Sequence, residues 1–248
     1  MERVNFLNVK IDNCSMDEAL GYACTLVEKK QNAIVVTPNI DHLVLLETNE
    51  SLRNAYNQAD LILADGMPII WFSKLFGTPI KEKISGSDFL PKLCAVAARK
   101  QYKMFFLGAA EGVAEQAAEK LTSRYPGLQV VGCYSPSVGF EKKEDEMNKI
   151  DVLLKESQPD ILVVALGCPK QEILICENRN RWNVPLSLGV GASLDFAAGR
   201  VKRAPKWMSR MGLEWFYRIL QEPRRMFYRY FIRDSRFVLL LWKYRKRK

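Results

Sequence analysis

The feature that most constrains this chain is a set of short, unbroken apolar runs separated by segments of helical character. The runs are Ala33-Ile34-Val35-Val36-Thr37, Asp60-Leu61-Ile62-Leu63-Ala64-Asp65, Met104-Phe105-Phe106-Leu107, Leu128-Gln129-Val130-Val131-Gly132, Asp160-Ile161-Leu162-Val163-Val164-Ala165-Leu166 and Leu186-Ser187-Leu188-Gly189-Val190. Each has the length of a strand, and most lack polar alternation, so each is read as buried on both faces. That is the condition of a parallel sheet covered by helices on either side. Ser15-Met16-Asp17-Glu18 is a capping box that starts a helix running to about Lys30. Asn39 opens a second helical stretch, Gly66-Met67-Pro68 turns a third, and residues 111–124 and 141–157 complete the pattern. Val4–Ile11 reads as an edge strand. The expected fold is α/β: a Rossmann-like, mostly parallel sheet with helices on both faces over residues 1–199, and a helical, basic C-terminal appendage over 200–248.

Charge separates these two parts. Residues 200–248 hold 16 Lys+Arg against 3 Asp+Glu, whereas residues 1–199 hold 21 against 25, so a mildly acidic body carries a strongly basic tail. A polyanionic partner is expected there. Eleven of the 26 aromatics also lie in the tail, which a merely solvated tail would not hold. Pro223 divides it into two helices. Beyond Pro223, Arg225, Arg229, Arg233 and Arg236 share one helical face, with Phe227, Tyr230, Phe231 and Val238 mostly off it. The pattern fits an interfacial helix on an anionic membrane surface. The competing expectation is a terminal helix that docks its aromatics on the body and leaves its arginines in water. No apolar run reaches the length of a spanning helix, and the N-terminus lacks signal-peptide order. The six cysteines contain no C-x-x-C pair and are expected as reduced thiols in a cytoplasmic chain.

Ligands of open parallel sheets sit beyond the carboxyl ends of the strands. The polar residues there are Thr37 and Asn39, Asp65, Gly108, Lys170 and Gln171, and Asp195. Asp65 follows an apolar strand directly, where partial desolvation would lift its pKa and fit it as a general base on a hydroxyl. It would also serve as a plain helix cap. Gly167-Cys168-Pro169-Lys170-Gln171-Glu172 opens a helix whose N-terminus favours an anion. The Gly108 loop has neither G-x-G-x-x-G nor G-K-[ST]. The single histidine, His42, has no metal-ligand spacing around it, so no metal site is expected. There is no G-x-S-x-G for a hydrolytic triad.

Taken in order, Val36-Thr37-Pro38-Asn39, Ala64-Asp65-Gly66-Met67-Pro68, the Ser85-Gly86-Ser87-Asp88 turn, Phe106-Leu107-Gly108, Gly167–Glu172, Gly189–Gly199, Arg203-Ala204-Pro205-Lys206-Trp207 and Gly212–Arg218 resemble the WecG/TagA/CpsF family of bacterial glycosyltransferases. Glu222-Pro223-Arg224-Arg225 is most similar to its wall teichoic acid branch. The resemblance implies an inverting transferase that needs no metal or other cofactor. It would move N-acetylmannosamine from UDP-N-acetylmannosamine to the 4-hydroxyl of N-acetylglucosamine on undecaprenyl diphosphate, at the inner face of the cell membrane. It also implies Asp65 as base, with Thr37 and Gln171 in the pocket and Asp195 near the nucleoside. Arg218 and Arg225 would be brought in when the tail folds over; Arg224 and Arg229 are further substrate-binding candidates. Cys168 departs from the small residue expected there. Exposed tail aromatics favour a homodimer in solution. A nucleic-acid-binding protein, with rings stacked on bases and arginines on phosphates, is the alternative class. An α/β methyltransferase rests on the Gly108 loop alone.

Overall fold

The computed structural model describes residues 1–205, 207–208 and 211–245, with the side chains of Arg224 and Arg225 left out of the description. Six parallel strands form one sheet: β3 (Ala33–Val36), β4 (Leu61–Ile62), β5 (Lys103–Gly108), β6 (Gln129–Tyr134), β7 (Ile161–Ala165) and β8 (Leu186–Gly189), in the order β4-β3-β8-β7-β5-β6. All five ladders are parallel. The unbroken apolar runs are explained by where alternate residues go. Ala33 and Val35 enter one core cluster and Ile34 and Val36 the other, on opposite faces of the sheet. The inner strands therefore need apolar residues at nearly every position, whereas β6, at the edge of the sheet, is half-buried throughout.

The first cluster is covered by α1 (Met16–Glu28), α5 (Gly86–Lys100), α6 (Val113–Arg124) and α9 (Ser193–Ala198). The second is covered by α2 (Ile40–Leu46), α3 (Glu50–Asn57), α4 (Met67–Leu75), α7 (Glu144–Ser157) and α8 (Lys170–Trp182). The capping box at Ser15 is present in both directions, Glu18 N–H to Ser15 Oγ and Ser15 N–H to Glu18 Oε2. Such a cap contributes about 1 kcal/mol.

Four expectations change. Val4–Ile11 is not one strand but an antiparallel hairpin, β1 (Arg3–Phe6) and β2 (Val9–Asp12), outside the main sheet. The chain reverses at Leu7, which has φ 52°, and Asp12 Oδ2 accepts the Ile62 N–H at 2.8 Å to hold the hairpin against β4. The run at 60–65 contributes only two residues to the ladder, because β3 ends at Val36, whose carbonyl takes the Leu63 N–H, and Asp65 donates to Pro38 O in the loop beyond. Ser85–Asp88 is the start of α5, with Ser85 as its cap, rather than a free turn. The tail differs most. Pro223 does separate α10 (Glu214–Gln221) from α11 (Pro223–Phe227). A π-helical stretch (Tyr228–Arg233) and a 3-10 turn (Asp234–Arg236) then lead to α12 (Phe237–Arg245). Arg229 and Arg233 turn inward to Asp41, while Phe227, Phe231, Val238, Leu239 and Trp242 face outward. The interfacial and docked-helix expectations both left the arginines outward; arginines folded over the pocket were implied by the resemblance alone. Phe237 and Leu240 of this stretch join the body's second cluster, with Leu241 and Tyr244 packed against it and Phe237 edge-on to Phe72 at 5.5 Å.

Candidate active site

At the carboxyl edge of the sheet, the N-termini of α2, α5, α8 and α9 surround one depression. The cleft has a volume of about 670 Å³ and runs between the ends of β3, β4, β7 and β8, with tail residues as its outer wall. The first turns of α2, α5, α8 and α9 supply Asn39, Ser87, Gln171 and Asp195 to its lining.

Asp65 lies at the floor, half-buried, immediately after the β4 run. Gly66 has φ 110°, a conformation reserved for glycine, and it lets α4 leave the sheet directly behind the carboxylate. Burial lifts the Asp65 pKa from 3.8 to about 6; Lys83 opposes the rise and Glu214 adds to it. No hydrogen bond reaches the Asp65 carboxylate among the described residues, so its oxygens are open to the cleft. The nearby Asp88 behaves oppositely. Burial would raise it too, but Lys83 at 2.9 Å, Ser85 at 2.6 Å and Arg203 hold it well below the ordinary carboxylate range. Two carboxylates beside one lysine thus have separate characters, one poised to take a proton and one a fixed anion.

Gln171 is a strut. Its Oε1 accepts N–H groups from Gly167 (3.2 Å) and Gly191 (2.9 Å), joining the loops after β7 and β8, and its Nε2 donates to Glu172 at 2.7 Å. Thr37 is buried and donates to Gly189 O at 3.5 Å. Asn39 caps α2 by accepting from Asp41 N–H, and the same Oδ1 meets His42 Nδ1 at 2.8 Å and Arg229 at 3.1 Å. Asp195 lines the wall beside Phe196.

The tail completes the cavity. Arg218 lines it and lies 5.6 Å from the centre of the Phe196 ring, and Arg229 and Arg233 converge on Asp41 at 3.5 Å and 2.5 Å. Asp234, buried beside them, has its carboxyl raised to about 7 by burial and by Asp41, against the pull of the two arginines.

The structure therefore gathers Thr37, Asn39, Asp65, Gln171, Asp195, Arg218 and Arg229 around one cleft. Lys170 and Gly108 are not part of its lining. Lys170 points to Glu141 at 3.0 Å on the outer surface, because as first residue of α8 it is turned away from Gln171. Gly108 serves packing: a Cβ there would lie 2.6 Å from Ala165 O, so only glycine lets β5 lie this close to β7. The side chains of Arg224 and Arg225 lie outside the described residues. Sequence reasoning missed Asp41, Lys83, Ser87, Asp88, Arg203, Glu214 and Arg233 as members of the site or its charge network. The Ser85–Asp88 and Arg203-Ala204-Pro205 segments were visible as motifs, but nothing in their spacing tied them to Asp65. The expectation that nothing surrounds His42 also fails in space: Cys168 and Glu172, far along the chain, offer ligand atoms that lie with His42's within 4.8 Å of one another.

The comparisons agree with this geometry. Residues 4–248 match the Glycosyl transferase WecG/TagA/CpsF family. A Bacillus spizizenii N-acetylglucosaminyldiphosphoundecaprenol N-acetyl-beta-D-mannosaminyltransferase is 35% identical over 202 residues, covering 81% of this chain and 76% of the relative. The Bacillus subtilis protein of that name is 32% identical over 199 residues (80% and 75%), and a Staphylococcus aureus one 30% over 226 residues (90% and 87%). With a parallel sheet, a strand-end cleft and a match over nearly its whole length, the chain belongs to the WecG/TagA/CpsF family of glycosyltransferases.

Proposed function

We propose that this enzyme transfers N-acetylmannosamine from UDP-N-acetylmannosamine to the 4-hydroxyl of N-acetylglucosamine on undecaprenyl diphosphate, with inversion. The observation that carries the reading is Asp65: a half-buried carboxylate, lifted to about 6 and without a hydrogen bond among the described residues, in a cleft walled by arginines. The acceptor hydroxyl gives its proton to Asp65 as its oxygen attacks the anomeric carbon. The bond from that carbon to the β-phosphate oxygen breaks on the opposite face, and UDP departs with the electron pair. The charge on the leaving diphosphate is met by Arg218 and Arg229 and by the surrounding helix N-termini, which are pre-set for it. Arg225 belongs to the same tail and is proposed to add to them; Arg224 is proposed at the diphosphate also. Thr37, Asn39 and Asp195 orient sugar and nucleoside, and Gln171 fixes the loops that shape the pocket. No metal takes part in the transfer step in this scheme.

The acceptor is a lipid, and the apolar face on the tail fits an enzyme resting on the inner face of the membrane. Phe227 and Phe231 stack at 4.8 Å on that face, flanked by Leu239 at 67% and Trp242 at 63% exposure. No helix among the described residues is long and apolar enough to cross a membrane. Away from lipid the same face supports a homodimer. A nucleic-acid role is disfavoured, because Arg229 and Arg233 are turned into the cleft rather than presented beside the outer rings. Product analysis tests the proposal. The purified chain, given UDP-N-acetylmannosamine and lipid-linked N-acetylglucosamine diphosphate, yields a β-linked disaccharide lipid and UDP. Transfer only from a different UDP-sugar would overturn the donor assignment.

A further inference from the structure

Beside the transfer site lies a second cluster that the proposed reaction leaves unused. His42 on α2 and Glu172 on α8 face each other, Nε2 to Oε1 at 3.4 Å, with side chains 8% and 0% exposed. Cys168, in the loop before α8, brings its sulfur to them, and all three ligand atoms lie within 4.8 Å of one another. Two buried polar atoms here have no hydrogen-bond partner: His42 Nε2 and Glu172 Oε2. An unpaired lone pair or N–H in such a place costs free energy unless something fills it.

The surroundings favour a cation as that occupant. His42 Nδ1 is 2.8 Å from Asn39 Oδ1, an acceptor only, and 3.3 Å from the Asn39 N–H; the shorter contact takes the ring proton on Nδ1 when a cation occupies the cluster, and the Nε2 lone pair then faces that cation. A metal-binding histidine is typically held this way by its second nitrogen. Glu172 is oriented in turn by Gln171 through Oε1, which leaves Oε2 unclaimed. Imidazole, thiolate and carboxylate together select a zinc-class ion rather than magnesium or calcium. In a tetrahedral zinc site, ligand atoms stand roughly 3.4 Å apart. The cluster reaches that spacing with side-chain movements of about 1 Å.

We propose that His42, Cys168 and Glu172 bind one Zn²⁺ ion in the wall of the cleft. Binding expels the Cys168 thiol proton to solvent, and the ion takes the Nε2 lone pair, the thiolate and a Glu172 oxygen. His42 and Cys168 both border the cleft, so the fourth position opens toward it and takes water or a ligand oxygen. The ion ties α2 to α8 and holds Glu172, which holds Gln171. The site is a clamp at the edge of the transfer pocket, and it stands or falls independently of the transferase reading.

The test uses the full chain, stripped by chelator and returned to Zn²⁺ or Co²⁺. The expected result is one tightly held equivalent of zinc, a thiolate-to-cobalt charge-transfer band with tetrahedral visible bands, and a melting temperature that rises with Zn²⁺. Cys168→Ser and Glu172→Gln each weaken Zn²⁺ binding at least tenfold and remove the charge-transfer band or distort the visible bands. A second readout needs no variant. Zn²⁺ protects Cys168 from alkylation while the labelling of the other five cysteines is unchanged. Failure to retain zinc, affinity unaltered by Cys168→Ser, or equal alkylation of Cys168 with and without Zn²⁺ would show a plain His42–Glu172 ion pair and overturn the proposal.

Discussion

The body and the tail are stabilised by different forces. The body buries two continuous apolar clusters against the two faces of one sheet, and its large side chains Phe89, Phe105, Phe106 and Phe140 are at most 2% exposed. From residue 200 on, four apolar residues among those described are buried: Met208, Met226, Phe237 and Leu240. The tail is held instead by charge: Arg229 and Arg233 to Asp41, Lys243 to Glu47, Arg203 to Asp88, and a Tyr244 hydroxyl to Glu47 at 3.0 Å. A hydrophobic core is rigid and insensitive to salt, whereas partly exposed ion pairs are weak and screened. The comparison teaches that the proposed base, Asp65, sits on the rigid part, whereas the cations proposed to meet the leaving group sit on the charge-held part. Under the proposed function, docking of the tail on the body assembles the site.

Removing the tail breaks the comparison outright. A body of residues 1–199 keeps its sheet, read by circular dichroism, but loses transfer and vesicle binding. A truncated body with a normal rate would refute the shared site. Asp65→Asn is next, with turnover down about 10²–10⁴-fold. Stability moves the other way. The Asp65 pKa is raised on folding, so its ionised form costs stability at pH values above about 6, and that cost fades as the pH falls toward 3.8. Asparagine removes the cost, roughly 3 kcal/mol at most from the difference between the two pKa values, and so raises the melting temperature near pH 8.

Arg229→Ala leaves Asp41 with one arginine, Arg233, and takes a cation from the cleft. Transfer falls about 10–100-fold, as for loss of a preorganised charge, and limited proteolysis within 200–245 quickens while the body resists. Asp234 sharpens the comparison further. Its carboxyl is raised to about 7, so the protonated form that shares a proton with Asp41 is lost as pH rises through about 7. Tail cleavage by a protease quickens modestly as pH rises from about 4 to 7 and levels off above that, and Asp234→Asn removes this dependence. The smallest effect belongs to the outer face: Phe231→Ser lowers vesicle binding about tenfold by removing one ring's burial, with transfer to a short soluble acceptor unaltered.

The main sheet was legible because burial on both faces imposes unbroken apolar runs, and Asp65 because it ends one of them. Asn39 and Gln171 were legible as helix starts at the same edge. The tail's orientation was not. Helical periodicity places Arg229 and Arg233 on one face, but which face meets the body depends on Asp41, a residue of α2 almost 190 positions earlier. Lys170 misled for a local reason: a side chain one position from Gln171 points about 100° away around the helix. His42, Cys168 and Glu172 escaped because metal-ligand spacing is sought along the chain, and α2 and α8 meet only through the fold.

The central claim is that Asp65 takes the acceptor's proton, and the pH dependence of transfer under limiting substrate tests it most directly. Across pH about 5 to 8, kcat/KM for the unaltered chain should rise tenfold per pH unit and level off near pH 6, following the Asp65 carboxylate. Asp65→Asn should retain only a small residual rate without that inflection. An inflection near 6 that survives in Asp65→Asn, or a variant that transfers at the full rate, would contradict the account.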